Sequence, residues 1–210
     1  MTSIVRQLIF VNVAVFALQQ LSHDELFGHF ALWPLGRHYV GGAGFVGFEP
    51  WQLISSAFLH ANVPHIALNM YALYMFGGMV ERVLGTRRFA WLYLASVLAA
   101  SVVQLLVVSM MRDQGIVPTV GASGGVFGVM LAFAMLFPHS RVMLLFPPIP
   151  MKAWVLVAGF AVIELTSGVM GTNQGVAHFA HLGGMLGAAI VMIAIGYRKN
   201  VQPPGDLRGP

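Results

Sequence analysis

Cysteine is absent from the 210 residues. That excludes a disulfide framework and any site built on thiolate ligands. Charge is almost as scarce. Charged residues make up 9% of the chain and hydrophobic ones 58%, whereas a soluble domain carries about 25% charge. The mean hydropathy is +0.78. A chain so poor in charge cannot cover its surface with it, so lipid is the expected solvent. The net charge of +4 is too small to point to nucleic acid. There is no internal repeat and no stretch of soluble-domain composition. The first apolar run has only Arg6 before it and no small-residue cleavage site soon after it. It is therefore expected to be a retained span and not a removed signal peptide.

Apolar segments are what the chain has instead. Six of them, residues 4–20, 64–83, 89–111, 123–137, 153–170 and 176–197, approach the spanning length of about 20 residues. The fourth is short for a full crossing. The expected fold is all-α: a polytopic, six-helix membrane bundle with a short fourth helix. It forms one domain over residues 1–200, with a flexible cytoplasmic tail over 201–210. The mixed stretch between the first two spans carries Asp24, Glu25 and Glu49 among Phe27, Phe30, Trp33, Phe45 and Trp51. It is too polar to cross lipid and is expected to lie partly embedded at one interface. With six spans, Arg6, Arg82, Arg87, Arg88, Arg141, Lys152, Arg198, Lys199 and Arg208 share one side, and Arg37 and Arg112 the other. The excess of basic residues marks the cytoplasmic side, so both termini are expected there and the long first loop outside.

Against this apolar background a few polar residues converge. His60 precedes span two, His65 lies in its first turn and Asn69 one turn deeper. Ser123 opens span four in Gly121-Ala122-Ser123-Gly124. His181 lies about five residues into span six, roughly 8 Å at 1.5 Å per residue. The topology thus puts all of them in the outer third of the bilayer. Polar groups at that depth are expensive and are functional candidates by default. A hydroxyl and an imidazole are a nucleophile and its base. His65 and Asn69, four apart, share a helix face, and Phe127 lies one turn from Ser123. The free N–H groups at a helix start suit a developing oxyanion. Gly183-Gly184-Met185-Leu186-Gly187 contains a Gly-x-x-x-Gly that is expected to press span six against span four.

These pieces together resemble the rhomboid intramembrane serine proteases, in their minimal six-span bacterial form. The resemblance runs from about Trp51 to Gly187. It rests on Gly121-Ala122-Ser123-Gly124, on Ala180-His181-Leu182-Gly183-Gly184 and on the run His60-Ala61-Asn62-Val63-Pro64-His65-Ile66-Ala67-Leu68-Asn69. Glu81-Arg82-Val83-Leu84-Gly85 resembles the family's turn after span two. The resemblance implies a Ser–His dyad without a third acid, with Ser123 the nucleophile and His181 the base. His65, Asn69 and the backbone at Gly121 and Ser123 would bind the oxyanion and substrate. Phe127 would pack on the His181 ring, with His60 and His178 in support. The implied substrates are single-span membrane proteins cut near the outer face, in what is expected to be a bacterial cytoplasmic membrane. No metal and no organic cofactor are implied. Where the family often has Trp-Arg in the first outer loop, this chain has Trp51-Gln52, which puts the stability of that loop in question.

Each residue also has a plainer reading. Ser123 alone would be a small residue in a helix-packing seam, and His181 alone a hydrogen-bonded core histidine. His178 and His181 form an H-x-x-H, but a third metal ligand would have to come from span two, and no motif Glu lies between the two histidines. His60 is expected to hold the outer loop by hydrogen bonds. Glu81 is expected to tie down the cytoplasmic turn. Glu164, in span five, would snorkel outward or sit protonated against a neighbour. Span five, with Gly159 and Gly168, and the loop before span six are candidates for a substrate gate. Two other functions fit the composition. An inactive relative that binds membrane proteins would be expected to lack Ser123 or His181. A small transporter would want polar groups through the whole depth, and the inner half here has none.

Overall fold

The computed structural model describes residues 3–21, 23–41, 44–110, 117–143, 148–171 and 177–197. Arg112, Arg198, Lys199, Arg208 and the expected tail 201–210 lie outside the described residues. The chain is mostly helical. Helix α1 (Ser3–Gln19) is followed by α2 (His23–Phe30), a hairpin of β1 (Arg37–Val40) and β2 (Gly44–Gly47), and the short α3 (Gln52–Ser55). Then come α4 (Val63–Ala72) and α5 (Gly78–Leu84), joined by a π turn over Leu73–Gly77. Helices α6 (Thr86–Met110) and α7 (Ser123–Leu136) precede a second hairpin, β3 (Arg141–Met143) and β4 (Pro150–Lys152). Helices α8 (Ala153–Met170) and α9 (His178–Ala194) complete it.

Helical stretches thus fall on each of the six apolar segments. Two of them, α6 with 25 residues and α8 with 18, are long and apolar enough on their own to cross a membrane. Helices α1, α7 and α9 are apolar but have only 10–17 residues, and the π turn divides the second segment. Length and composition therefore single out two crossings of the expected six. The expected helical fold is met in the main, and two short hairpins are added to it. Both are antiparallel, pairing Arg37 with Gly47 and Arg141 with Lys152 at their open ends. Each lies between helices, where an exposed backbone can be satisfied by its own neighbour.

Helix α7 is the axis of the bundle. Gly124, Gly125, Val126, Gly128, Val129, Met130, Ala132, Phe133, Ala134 and Leu136 are all buried on it. By contrast α6 and α8 keep an outward face of exposed Trp91, Leu106, Trp154, Ile163 and Val169, as lipid-facing helices do. Close helix approach comes from small residues. A Cβ added at Gly184 would collide with the Gly124 carbonyl, and one added at Gly128 with the Ser96 hydroxyl. The Gly-x-x-x-Gly pair points elsewhere than expected. Gly183 and Gly187 lie against α6, where a Cβ would stand 2.8 Å from the Ala99 carbonyl oxygen and 2.5 Å from that of Ala95. The α9–α7 approach is made by Gly184, one residue along, because the two faces of α9 carry alternate glycines.

Local signals set the helix ends. The Asn62 side chain accepts the His65 N–H at 2.9 Å and Pro64 occupies the first turn, so α4 starts there. Gly171, at φ +64°, closes α8 in the left-handed conformation. Glu81 does more than tie down a turn. Buried beside α1, it accepts the N–H groups of Ile4 and Val5, both at 3.1 Å, and so caps the first helix.

The first loop has its own small core of Ala31, Trp33, Val46 and Leu59, packed on Val15, Phe27 and Val120. Gln52 is buried at its centre. Its carbonyl oxygen accepts from the N–H groups of Trp33 and Glu49, both at 3.2 Å. Its amide donates to the carbonyls of His29 and Gly47 at 3.3 and 3.1 Å. A glutamine thus supplies the cross-links for which arginine was expected to be needed. Leu35, Tyr39, Phe45 and Trp51 remain exposed on this loop.

Candidate active site

Ser123 is the first residue of α7, and its approach is pinned by the outer loop. Leu32 and Thr119 exchange backbone hydrogen bonds at 3.0 and 2.9 Å, and the Gly121 N–H donates to the Ser56 carbonyl at 2.9 Å. Gly121 sits at φ +124°, where a side chain would be strained. A Cβ there would also stand 2.7 Å from the His65 ring. Gly121, expected in the oxyanion- and substrate-binding set, spends its N–H on Ser56 and supplies the turn and the space that His65 fills. The N–H groups of Ser123, Gly124 and Gly125 precede the first intrahelical donor, Val126, which bonds Ala122 at 3.0 Å.

His181 lies in the first turn of α9, and its Nε2 is 2.8 Å from Ser123 Oγ. Phe127 stacks on the His181 ring with centroids 4.2 Å apart and planes 5° from parallel. Phe160 of α8 meets Phe127 edge-on at 5.8 Å. The plane of the imidazole is thus fixed between α7 and α8.

His65 presents its ring between Gly121 and His60. Its Nδ1 accepts the Ala61 N–H at 3.4 Å. A neutral ring with an accepting Nδ1 carries its hydrogen on Nε2, and Nε2 is the atom facing Gly121, 2.8 Å from where a Cβ would be. Asn69 is buried, and its amide donates to the His65 carbonyl at 3.0 Å. An amide has two N–H donors, so one remains.

His60 holds the loop, but not through its ring. Gln19 accepts the His60 N–H at 3.1 Å and donates to its carbonyl at 2.6 Å. The ring lies edge-on to His65 at 5.1 Å and to Phe16 at 6.4 Å. Burial, and then the neighbouring His65, push its imidazole down to about 4, opposed by the Phe58 carbonyl.

Glu164 sits against two histidine neighbours. It neither snorkels nor faces lipid. Its Oε2 is 2.6 Å from Nδ1 of His178 and 3.0 Å from Nδ1 of His181. Only the first meets hydrogen-bond geometry; His181 Nδ1 lies close to the oxygen without an aligned bond. The sequence signal was a carboxylate inside an apolar segment, a functional candidate by default. Among the described residues no group of three or more His, Cys, Asp or Glu could hold a metal.

A small cleft lined by Ser56, Ser101, Thr119 and Gly121 abuts Ser123. A hydroxyl, an imidazole, helix-start N–H groups and a small cleft thus meet at one point, an arrangement that could serve acyl transfer.

Residues 47–198 match the model of the Rhomboid domain. The chain is 35% identical to "Rhomboid protein 1, mitochondrial" of Saccharomyces cerevisiae over 153 residues, 73% of this chain and 42% of that protein. It is 30% identical to "RHOMBOID-like protein 12, mitochondrial" of Arabidopsis thaliana over 206 residues, 91% of this chain and 58% of that one. It is also 30% identical to "Rhomboid protease GluP" of Bacillus subtilis over 151 residues, 72% and 27% respectively. The chain thus spans less than two thirds of the length of each. With mitochondrial names ahead of the bacterial one, the expected assignment to a bacterial cytoplasmic membrane is not carried by these relatives. What they share is a helical bundle in a bilayer, and the chain belongs to the rhomboid family of integral membrane proteins.

Proposed function

We propose that the chain is an intramembrane serine endopeptidase that cuts single-span membrane proteins near the outer face of the bilayer. One observation carries this reading: Ser123 Oγ stands 2.8 Å from His181 Nε2 at the half-buried start of α7. The topology that suits it has six crossings in a single domain over residues 1–200, with both termini and the tail 201–210 cytoplasmic.

The chemistry follows from the parts. Oγ attacks the scissile carbonyl carbon as its proton passes to His181 Nε2. The carbonyl oxygen becomes an oxyanion, which accepts from His65 Nε2–H, the second Asn69 N–H and the Ser123 N–H. His181 then gives its proton to the departing amine. A water molecule, deprotonated by the same nitrogen, hydrolyses the acyl-enzyme. Phe127 keeps the ring in plane throughout. No metal or organic cofactor enters any step. Presence of both Ser123 and His181 favours this over an inactive, substrate-binding relative.

The test is cleavage of a reconstituted single-span substrate in liposomes by the parent chain, Ser123→Ala and His181→Ala. Cleavage is expected from the parent alone. Capture of uncleaved substrate by all three proteins alike would instead establish the inactive reading.

A further inference from the structure

Among the described residues, Glu164 is the buried acidic group near the site that the mechanism above leaves unused. We propose that Glu164 is a positioning residue for His181: its carboxylate, anchored by His178, selects the ring orientation and tautomer in which Nε2 faces Ser123. This rests on the protease reading.

The stack on Phe127 fixes the plane of the His181 ring, but not its sense. A half-turn about the Cβ–Cγ bond leaves the plane unchanged and exchanges the positions of Nδ1 and Cδ2. Only a group that distinguishes nitrogen from carbon can choose between the two, and Glu164 Oε2 stands 3.0 Å from Nδ1. The same oxygen selects the tautomer. A neutral imidazole has one N–H. To accept the serine proton at Nε2 the ring must carry its hydrogen on Nδ1, and a carboxylate beside Nδ1 favours that form. When the serine proton moves to Nε2, Nδ1 keeps its own hydrogen. The ring then becomes a cation beside an anion, in a site shielded from water, where opposite charges attract more strongly.

His178 supplies the anchor. It holds Oε2 at 2.6 Å, and an oxygen with two lone pairs can accept from both rings. The Glu164, His178 and His181 side chains are 9–11% exposed. Gly168, one turn along α8, has no room beside it: a Cβ would stand 2.9 Å from the Phe179 ring and 3.3 Å from His178 Cβ. Helices α8 and α9 therefore touch at this level, which keeps the carboxylate within reach. The misaligned angle to His181 fits a resting site, since catalytic hydrogen bonds tighten as substrate binds.

The experiment compares the parent with Glu164→Gln and Glu164→Asp. Readouts are the rate of Ser123 labelling by a fluorophosphonate probe and kcat and KM for a reconstituted single-span substrate. Gln keeps the shape and a hydrogen bond to His178, so a merely structural Glu164 would leave kcat unchanged. For a positioning residue, Gln is expected to lower kcat and the labelling rate at least about tenfold with KM within about twofold. Asp, which keeps the charge, is expected to recover part of that loss. A parent that labels at Ser123 and a Gln variant that labels equally fast would overturn this inference alone. A parent with no Ser123-dependent labelling would overturn it together with the protease reading. Folding of the variants is bypassed by a measurement on the parent: nitrogen-15 NMR of histidine-labelled protein, with His181 assigned through His181→Asn. A neutral His181 protonated at Nδ1 is expected; protonation at Nε2 would overturn the proposal.

Discussion

Replacing Gly184 by alanine tests whether the α9–α7 seam sets the distance on which the proposed chemistry depends. A Cβ at Gly184 would lie 2.7 Å from the carbonyl carbon of Gly124. Unstrained carbon contacts are about 3.5–4.0 Å. The obstacle is backbone and cannot rotate aside, so the helices must part by roughly 1 Å. Gly184 lies less than one helical turn from His181, so that displacement passes almost directly to the imidazole. The 2.8 Å between Nε2 and Oγ would open beyond the ~3.2 Å limit of a good hydrogen bond. A misplacement of that size lowers a rate by about 100-fold, and overpacking of this kind costs about 1–3 kcal/mol of stability. Gly159→Ala on α8 is the control, since nothing lies within 4 Å of its added Cβ. The assay is the rate of fluorophosphonate labelling at Ser123, with the thermal midpoint in detergent measured alongside. Labelling of Gly184→Ala within twofold of the parent would refute the reasoning.

Three further outcomes follow from buried polar contacts. Gln52→Ala strands the N–H groups of Trp33 and Glu49, while the His29 carbonyl still accepts from Trp51 Nε1, so about 1–3 kcal/mol of stability is expected to be lost, read as a lower thermal midpoint. An unchanged midpoint would show that the apolar contacts of Trp33 and Leu59 hold the loop without it. Glu81→Gln weakens the cap on α1 and is expected to cost about 1 kcal/mol. The sign is reported by faster proteolysis of the N-terminal helix. His60 is depressed to about 4 from an ordinary 6.5, chiefly by burial and next by His65. The unfolded chain therefore binds the proton first, and this group's contribution to stability is full above pH 6.5. It declines as pH falls, until it levels off below about 4. The span corresponds to about 3 kcal/mol at most. The parent is expected to lose stability relative to His60→Phe across that window, and parallel pH–stability curves would contradict it.

Much of the fold could be read in the sequence because lipid imposes a simple rule on long segments: apolar residues in a run must form a helix. The six apolar stretches, the short α7 and the start of α4 at Asn62 follow from that rule and from capping chemistry. Ser123, His181 and Phe127 were visible as a set because each opens or adjoins an apolar helix at matching depth. Rotation about a helix axis was not visible. Helices apolar on every side give no periodic pattern, so nothing in the chain said that Gly183 and Gly187 face α6 while Gly184 faces α7. For the same reason Glu164 could be placed in depth but not turned toward His181. The hairpins were missed because strands of three or four residues, beside glycine in the first and proline in the second, carry little alternation. The use of the Gly121 N–H by Ser56 depends on a contact between distant loops, which local sequence does not encode.

The central claim is that Ser123 is a nucleophile activated by His181. Its most direct measurement is mass-spectrometric mapping of fluorophosphonate attachment on the purified chain in detergent, beside His181→Ala. Attachment at Ser123 in the parent, lost when His181 is removed, is the expected result. A parent chain that stays unmodified at Ser123, or a His181→Ala chain modified as fast as the parent, would contradict it.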